Sequence, residues 1–172
     1  MLKSQSVTDL VQHEPMGLAA DNRDTPKVAL EIKEAAAMGV LVASYRMASI
    51  SALGMVEHLE PLEDNERGVI TLTASVAAQD AQVGQVAYGS CKAGVNGLVL
   101  PMARDLMDVG IRVNSIMPGI MATPPMLGVP PKVLEVLSNS VPFPKRLGKP
   151  EEFGSLVLEL VRNGYFNGQN IR

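Results

Sequence analysis

The stretch from Gly68 to Met117 leaves this chain few folds to choose from. Gly68-Val69-Ile70-Thr71-Leu72-Thr73 is β-branched and opens on a glycine, the composition of a buried strand. Residues 87–108 then set small and apolar side chains at helical spacing, Gly110 stops that helix, and residues 111–117 return to an apolar, β-branched run. Two strands joined by a helix of this length form a parallel β-α-β unit, because parallel neighbours need a long crossover. Such a unit has helices on its faces, so the spacing predicts an α/β, doubly wound parallel sheet.

The flanking segments fit that plan. Gly17-Leu18-Ala19-Ala20 followed by Asp21 reads as a short buried strand ending in an acid. Thr25-Pro26 opens a helix, with Thr in the capping position and Pro in the first turn. Gly39 is expected to end it, Val40-Leu41-Val42 to form another strand, and residues 44–59 to return to helix. Residues 57–67 are acidic, contain Pro61 and read as a surface connection. After Pro118-Gly119 the composition shifts, since nine of the twelve prolines fall between positions 101 and 150. Pro150-Glu151-Glu152 starts a last helix with acids at its positive end. Residues 1–16 are polar and stand apart from a single domain over 17–172.

Composition removes several classes of function. Fifteen Lys and Arg against eighteen Asp and Glu give a net charge of −3, without the basic stripe a phosphate backbone requires, so no nucleic-acid partner is expected. Aromatics make up 3% of residues and Trp is absent, which argues against stacking platforms. Cys91 is the one cysteine; it permits no internal disulfide, and with His13 and His58 it offers no metal-ligand spacing. The amino terminus is polar and the apolar runs fall short of the ~20 residues of a membrane span, so a cytoplasmic location is expected.

Three side chains converge in this architecture. Tyr88 and Lys92 stand at i and i+4 of the long helix, on one face. Ser75 lies just past the strand ending at Thr73, at the sheet edge where open parallel sheets bind ligands. A free tyrosine has a pKa near ~10, and an ammonium one turn away favours its phenolate. A serine hydroxyl opposite can hold a substrate oxygen against the phenol, which suits proton transfer at an alcohol or carbonyl coupled to hydride exchange. Taken singly, the residues are ordinary: Tyr-x-x-x-Lys is commonly a packed ring beside a solvated amine, and a serine after a strand commonly caps a turn.

Thr73-Ala74-Ser75-Val76-Ala77-Ala78 and Gly84-Gln85-Val86-Ala87-Tyr88-Gly89-Ser90-Cys91-Lys92 resemble the short-chain dehydrogenase/reductase family. The likeness continues through Arg104-Asp105-Leu106, Gly110-Ile111-Arg112-Val113, Pro118-Gly119-Ile120, Thr123-Pro124, Val141-Pro142-Phe143-Pro144, Arg146-Leu147-Gly148 and Asn167-Gly168. It spans about 66–172 and is nearest to members that act on 3-hydroxyacyl-CoA or hydroxysteroid substrates. The resemblance implies a Rossmann-like fold and an oxidoreductase that interconverts a secondary alcohol and a ketone on a lipid-like substrate. It implies NAD as cofactor, with NADP open. Tyr88 would be the acid/base, Ser75 would orient the substrate oxygen, and Lys92 would bind the nicotinamide ribose and lower the Tyr88 pKa. Pro118, Gly119, Ile120 and Thr123 would line the nicotinamide. Asp21 would touch adenine; apart from the resemblance it is an ordinary acid before a helix. Met126, Leu127, Val129, Val133, Leu134 and Leu137 suit an apolar lid, or equally the packing of a short helix.

Departures from the family pattern are equally definite. No Gly-x-x-x-Gly-x-Gly turn occurs to bind a pyrophosphate at a helix N-terminus. Val42 runs into Ala43-Ser44-Tyr45 where the family carries Asn-Ala-Gly, and Asn22 and Asn65, the asparagines before position 90, do not match the family's catalytic asparagine. The chain therefore reads as an incomplete member, lacking the glycine-rich β-α-β portion and the last strand, as a truncated gene model or splice product would. Missing strands expose apolar surface, so association is expected through the helices at 44–59 and 87–108, as a homo-oligomer or with a full-length relative. The alternative reading is a catalytically inactive homologue acting as a dimerising interaction module.

Overall fold

The computed structural model describes residues 25–172. The elements are α1 (Thr25–His58), β1 (Gly68–Thr73), α2 (Ala77–Asp80), α3 (Val86–Asp105), β2 (Ile111–Ile116), α4 (Pro124–Leu127), α5 (Pro131–Ser140), α6 (Pro150–Arg162) and β3 (Asn170–Ile171). Short 3-10 turns at Glu63–Asn65 and Met107–Val109 precede β1 and β2. The sheet has the order β1-β2-β3 and is parallel throughout, with Gly68 opposite Ile111, Thr73 opposite Ile116, and Ser115–Ile116 paired to Asn170–Ile171.

All six residues of β2 are buried, and their alternation builds the two faces. Val113 packs with Val95 and Val99 of α3, Ile70 and Leu72 of β1, and Ala48 and Ala52 of α1 in the main core. On the opposite face Arg112 and Asn114 reach the chain at and beyond the end of α6, bonding the carbonyls of Leu160 and Phe166. Helices thus serve both sides of a parallel sheet, as the β-α-β pattern predicts. Small residues bring α1 against α3: Ala48 and Ala52 are buried, and a Cβ at Gly94 would lie 2.8 Å from Leu41 Cδ2.

Three expectations are amended. Val40-Leu41-Val42 is helical, inside an α1 that runs unbroken past Gly39. A three-residue apolar run is equally compatible with helix, and a mid-helix glycine costs only about 1 kcal/mol relative to Ala. Asn170 and Ile171 form a third strand at a place where the sequence predicts none. Two residues give no periodicity to read; the pairing is imposed by Ser115 and Ile116 on β2. The strand read at 17–20, Asp21 and the polar segment 1–16 lie outside the described residues. Within α1, Met38–His58 is long and apolar enough to cross a membrane by length and composition, contrary to the expectation from run length. Only 11% of the apolar window is buried, with Ala48 and Ala52 reaching the core.

The approach to β2 turns on Gly110, whose φ of +73° is left-handed and whose Cβ, were there one, would sit 1.9 Å from the Asn65 carbonyl oxygen. Gly110 also accepts the Arg67 N–H at 2.7 Å. A side chain there meets backbone strain and a backbone clash together. Gly110→Ala should therefore lower the unfolding free energy by about 1–3 kcal/mol or more, read by urea denaturation.

Candidate active site

Both long strands point their carboxyl ends to one edge, and the chain turns there twice. After β1, Ala74 N–H donates to the Ile116 carbonyl at 2.9 Å and Val76 N–H to the Pro118 carbonyl at 3.1 Å. The turn holding Ser75 is thereby stitched to the turn after β2. Ser75 is 8% exposed, and its Oγ accepts the Ala77 N–H at 3.2 Å. A hydroxyl that accepts in this way keeps its own proton to donate.

Helix α3 supplies the other two residues. Its early turns pass α2 closely: a Cβ on Gly89 would lie 2.6 Å from Ala81 Cβ and 2.9 Å from the Ala77 carbonyl oxygen. Tyr88, the residue before Gly89, is 43% exposed. Lys92 Nζ stands 5.9 Å from the centre of the Tyr88 ring and donates to the Thr73 carbonyl at 2.9 Å. Thr73 lies two residues before Ser75, so the ammonium bridges the tyrosine and the strand end. Of its three protons one is committed to Thr73, and two remain for a ligand.

The turn after β2 brings Pro118, Gly119, Ile120 and Thr123 to the same edge. Gly148 returns alongside them: it pairs with Met121, donates to the Ile120 carbonyl at 2.9 Å and accepts the Ala122 N–H at 2.8 Å. Thr123 starts α4, its carbonyl accepting from Leu127 at 2.9 Å. Beyond it α5 buries none of its residues, and Val133 and Val136 are exposed. Of the apolar residues singled out at 126–137, Leu127 and Val133 are exposed, while Met126, Val129, Leu134 and Leu137 are half-buried. Asp21 lies outside the described residues.

The segment carrying Gly148 is clipped to α6. Arg146 grips Glu152 with two bonds, at 2.9 and 2.6 Å, and donates to the Leu147 carbonyl at 3.0 Å. Glu152 also accepts the Lys149 N–H at 2.7 Å, capping the helix start. The Arg146 hydrogen bond and the Lys149 amide pull the Glu152 carboxyl down to about 2, and the same pair holds Arg146 more firmly protonated.

Several structural polar residues escape the sequence reading. Asn96, Ser115 and Asn170 link α3, β2 and β3, with the Ser115 hydroxyl 2.8 Å from Asn96 Oδ1 and 2.6 Å from Asn170 Oδ1. An arginine and an asparagine inside a β-branched strand were the available signal, and Arg112 and Asn114 carry it.

Comparison with known proteins bears on the family and the fold. Residues 26–172 match the family model described as enoyl-(acyl carrier protein) reductase. The chain is 47% identical over 131 residues to 3-hydroxyacyl-CoA dehydrogenase type-2 of Drosophila melanogaster, covering 76% of this chain and 51% of that protein. The human protein of that name is 50% identical over 113 residues, covering 66% and 43%. The crystal structure of 3-hydroxyacyl-CoA dehydrogenase type-2 from Mycobacterium avium superposes with a TM-score of 0.70 at 46% identity, over 75% of this chain and 49% of that one. The chain thus spans about half the length of the curated relatives it matches.

The Arg146–Glu152 clip makes a pH prediction. Glu152 ionises near 2 in the folded chain against an ordinary 4.5, so its contribution is present above 4.5 and fades as pH falls toward 2. Glu152→Gln should lower the thermal midpoint at pH 7, with the gap to the parent narrowing below pH 4.5; a gap constant down to pH 3 would assign the loss elsewhere.

Proposed function

The chain belongs to the short-chain dehydrogenase/reductase family, and from that membership we propose an oxidoreductase site that interconverts a secondary alcohol and a ketone on a 3-hydroxyacyl thioester or a similarly lipid-like substrate. The observation that carries the reading is Lys92, whose ammonium lies beside the Tyr88 ring while anchored on the strand end that leads into Ser75. Relatives named 3-hydroxyacyl-CoA dehydrogenase type-2 support the substrate class, as do the exposed apolar residues of α5.

In the oxidative direction, Tyr88 as phenolate takes the hydroxyl proton while hydride leaves the same carbon, giving the ketone. Ser75 donates its hydroxyl proton to the substrate oxygen and holds it against Tyr88. Lys92 stands beside the ring and has two protons for ribose hydroxyls. The residues present fit the nicotinamide end of NAD, which when bound supplies the hydride acceptor. Lys92 would hold the ribose, and the turn Pro118–Thr123 would face the ring. Among the described residues no glycine-rich strand-to-helix turn offers amides to the pyrophosphate. NAD is proposed over NADP by likeness to the family alone.

A second reading has its own observation. Met47, Ile50 and Leu53 project from α1 at 64%, 66% and 57% exposure, an apolar stripe beside α3 that suits pairing with another copy or a full-length relative. Association of this kind is compatible with catalysis, and without turnover it would leave a dimerising module.

One titration separates these readings. Purified protein titrated into NADH should change the cofactor's fluorescence saturably, and a 3-hydroxyacyl-CoA should then be oxidised in the presence of NAD. Tyr88→Phe should cut turnover by about 10²–10⁴ while leaving NADH affinity within about twofold. Failure of a folded chain to bind NADH, together with a mixed dimer on co-expression with a full-length relative, would leave the interaction module standing.

A further inference from the structure

We propose that Arg172 is a positioning residue for Ser75, acting through α2. The role of Ser75 rests on the function proposed above; the mechanical link does not. Helix α2 is a single turn, Ala77–Asp80, too short to persist without outside contacts. Ser75 forms its near end: the Ser75 carbonyl accepts the Ala78 N–H at 2.9 Å, and Ser75 Oγ accepts the Ala77 N–H. Any displacement of the turn is therefore transmitted to both polar groups of Ser75.

The near end is fixed to the sheet through Val76 and Pro118, and Gly89 of α3 packs on the Ala77 carbonyl at the start of the turn and on Ala81 just past its end; the side chains of the turn's last two residues are held separately. The far end is held from β3, whose last residue leads to the same edge of the sheet. Arg172 Nη2 forms an ion pair with the Asp80 carboxylate, and Nη1 donates to Gln79 Oε1 at 3.3 Å. These residues are 92 and 93 positions apart, so the clasp closes the site across almost the whole described catalytic region. Both side chains are about half exposed, which places the pair in the class of weak surface bridges. That suffices for a role in position: a one-turn helix with little stability of its own responds to small energies.

Hydrogen exchange of peptides spanning 75–82 tests the link, and steady-state kinetics tests its consequence. Asp80→Asn and Arg172→Gln should each raise exchange of the Ala77–Asp80 amides about 1.5- to fivefold, the range of an exposed bridge. β2 and the middle of α3 should be unchanged. The double variant should match either single, as one shared interaction requires, and Arg172→Lys should recover most of the protection. With a 3-hydroxyacyl-CoA substrate the same variants should lower kcat/KM by a similar factor with NADH affinity unaltered. Unchanged exchange in both single variants, or additive effects in the double, overturns the clasp. Raised exchange in the variants of a parent that shows no turnover would keep the clasp and remove the proposed activity; turnover in the parent with unchanged exchange in the variants would do the reverse.

Discussion

A guanidinium withdrawn from water must find an acceptor for each N–H it carries, and Arg112 meets that demand in the middle of the sheet. It is 6% exposed. Nε and Nη2 grip the Glu66 carboxylate at 3.1 and 2.8 Å, while Nη1 and Nη2 reach the carbonyls of Leu160, Phe166 and Val161 at 2.8, 3.0 and 3.1 Å. Leu160 and Val161 belong to the last turn of α6, whose carbonyls have no helical partner. One buried cation thus ends a helix, pairs with the connection before β1 and fixes where the chain goes next. The positive charge also sits at the negative end of the α6 dipole.

The functional edge depends on that organisation at one remove. Because α6 ends on Arg112, residues 163–169 are placed for Asn114 and Asn167 to bond across: Asn167 Oδ1 accepts the Val113 N–H at 2.9 Å, and Asn114 Oδ1 accepts the Gln169 N–H at 3.1 Å. Those bonds deliver Asn170 and Ile171 into register with Ser115 and Ile116, and Arg172 to α2. At the other end of α6, Glu152 and Arg146 hold Gly148 against Ile120. Both sides of the turn that faces the proposed nicotinamide are therefore positioned by one helix, pinned at each terminus by an Arg–Glu pair.

Much of this was legible in the residues because it is local. A β-branched run, a helix of twenty residues and a glycine stop announce β1, α3 and β2, and i, i+4 spacing alone puts Tyr88 and Lys92 on one face. Pro150 with two glutamates marks the start of α6 just as clearly. What escaped is decided at a distance. Val40-Leu41-Val42 has the composition of a strand, yet helix continues through it and sets Leu41 against Gly94 of α3. Asn170-Ile171 becomes a strand because β2 offers it an edge. Asp80 has no local signature at all, since its partner is Arg172.

Among the described residues β1 is an outer strand of the sheet, and its outer edge bears on the chemistry proposed for the site. Ala74 directs its N–H to β2, so the alternation of a strand turns the carbonyl of Thr73 the other way, toward the unpaired side. Lys92 occupies that carbonyl. An added strand paired along the whole of β1 would compete with the ammonium for the same oxygen, and Lys92, once displaced, would have all three protons for the tyrosine and a ribose. The edge that makes the sheet open is thus also the one that restrains the lysine. A strand added there would act directly on the lysine that stands beside the Tyr88 ring.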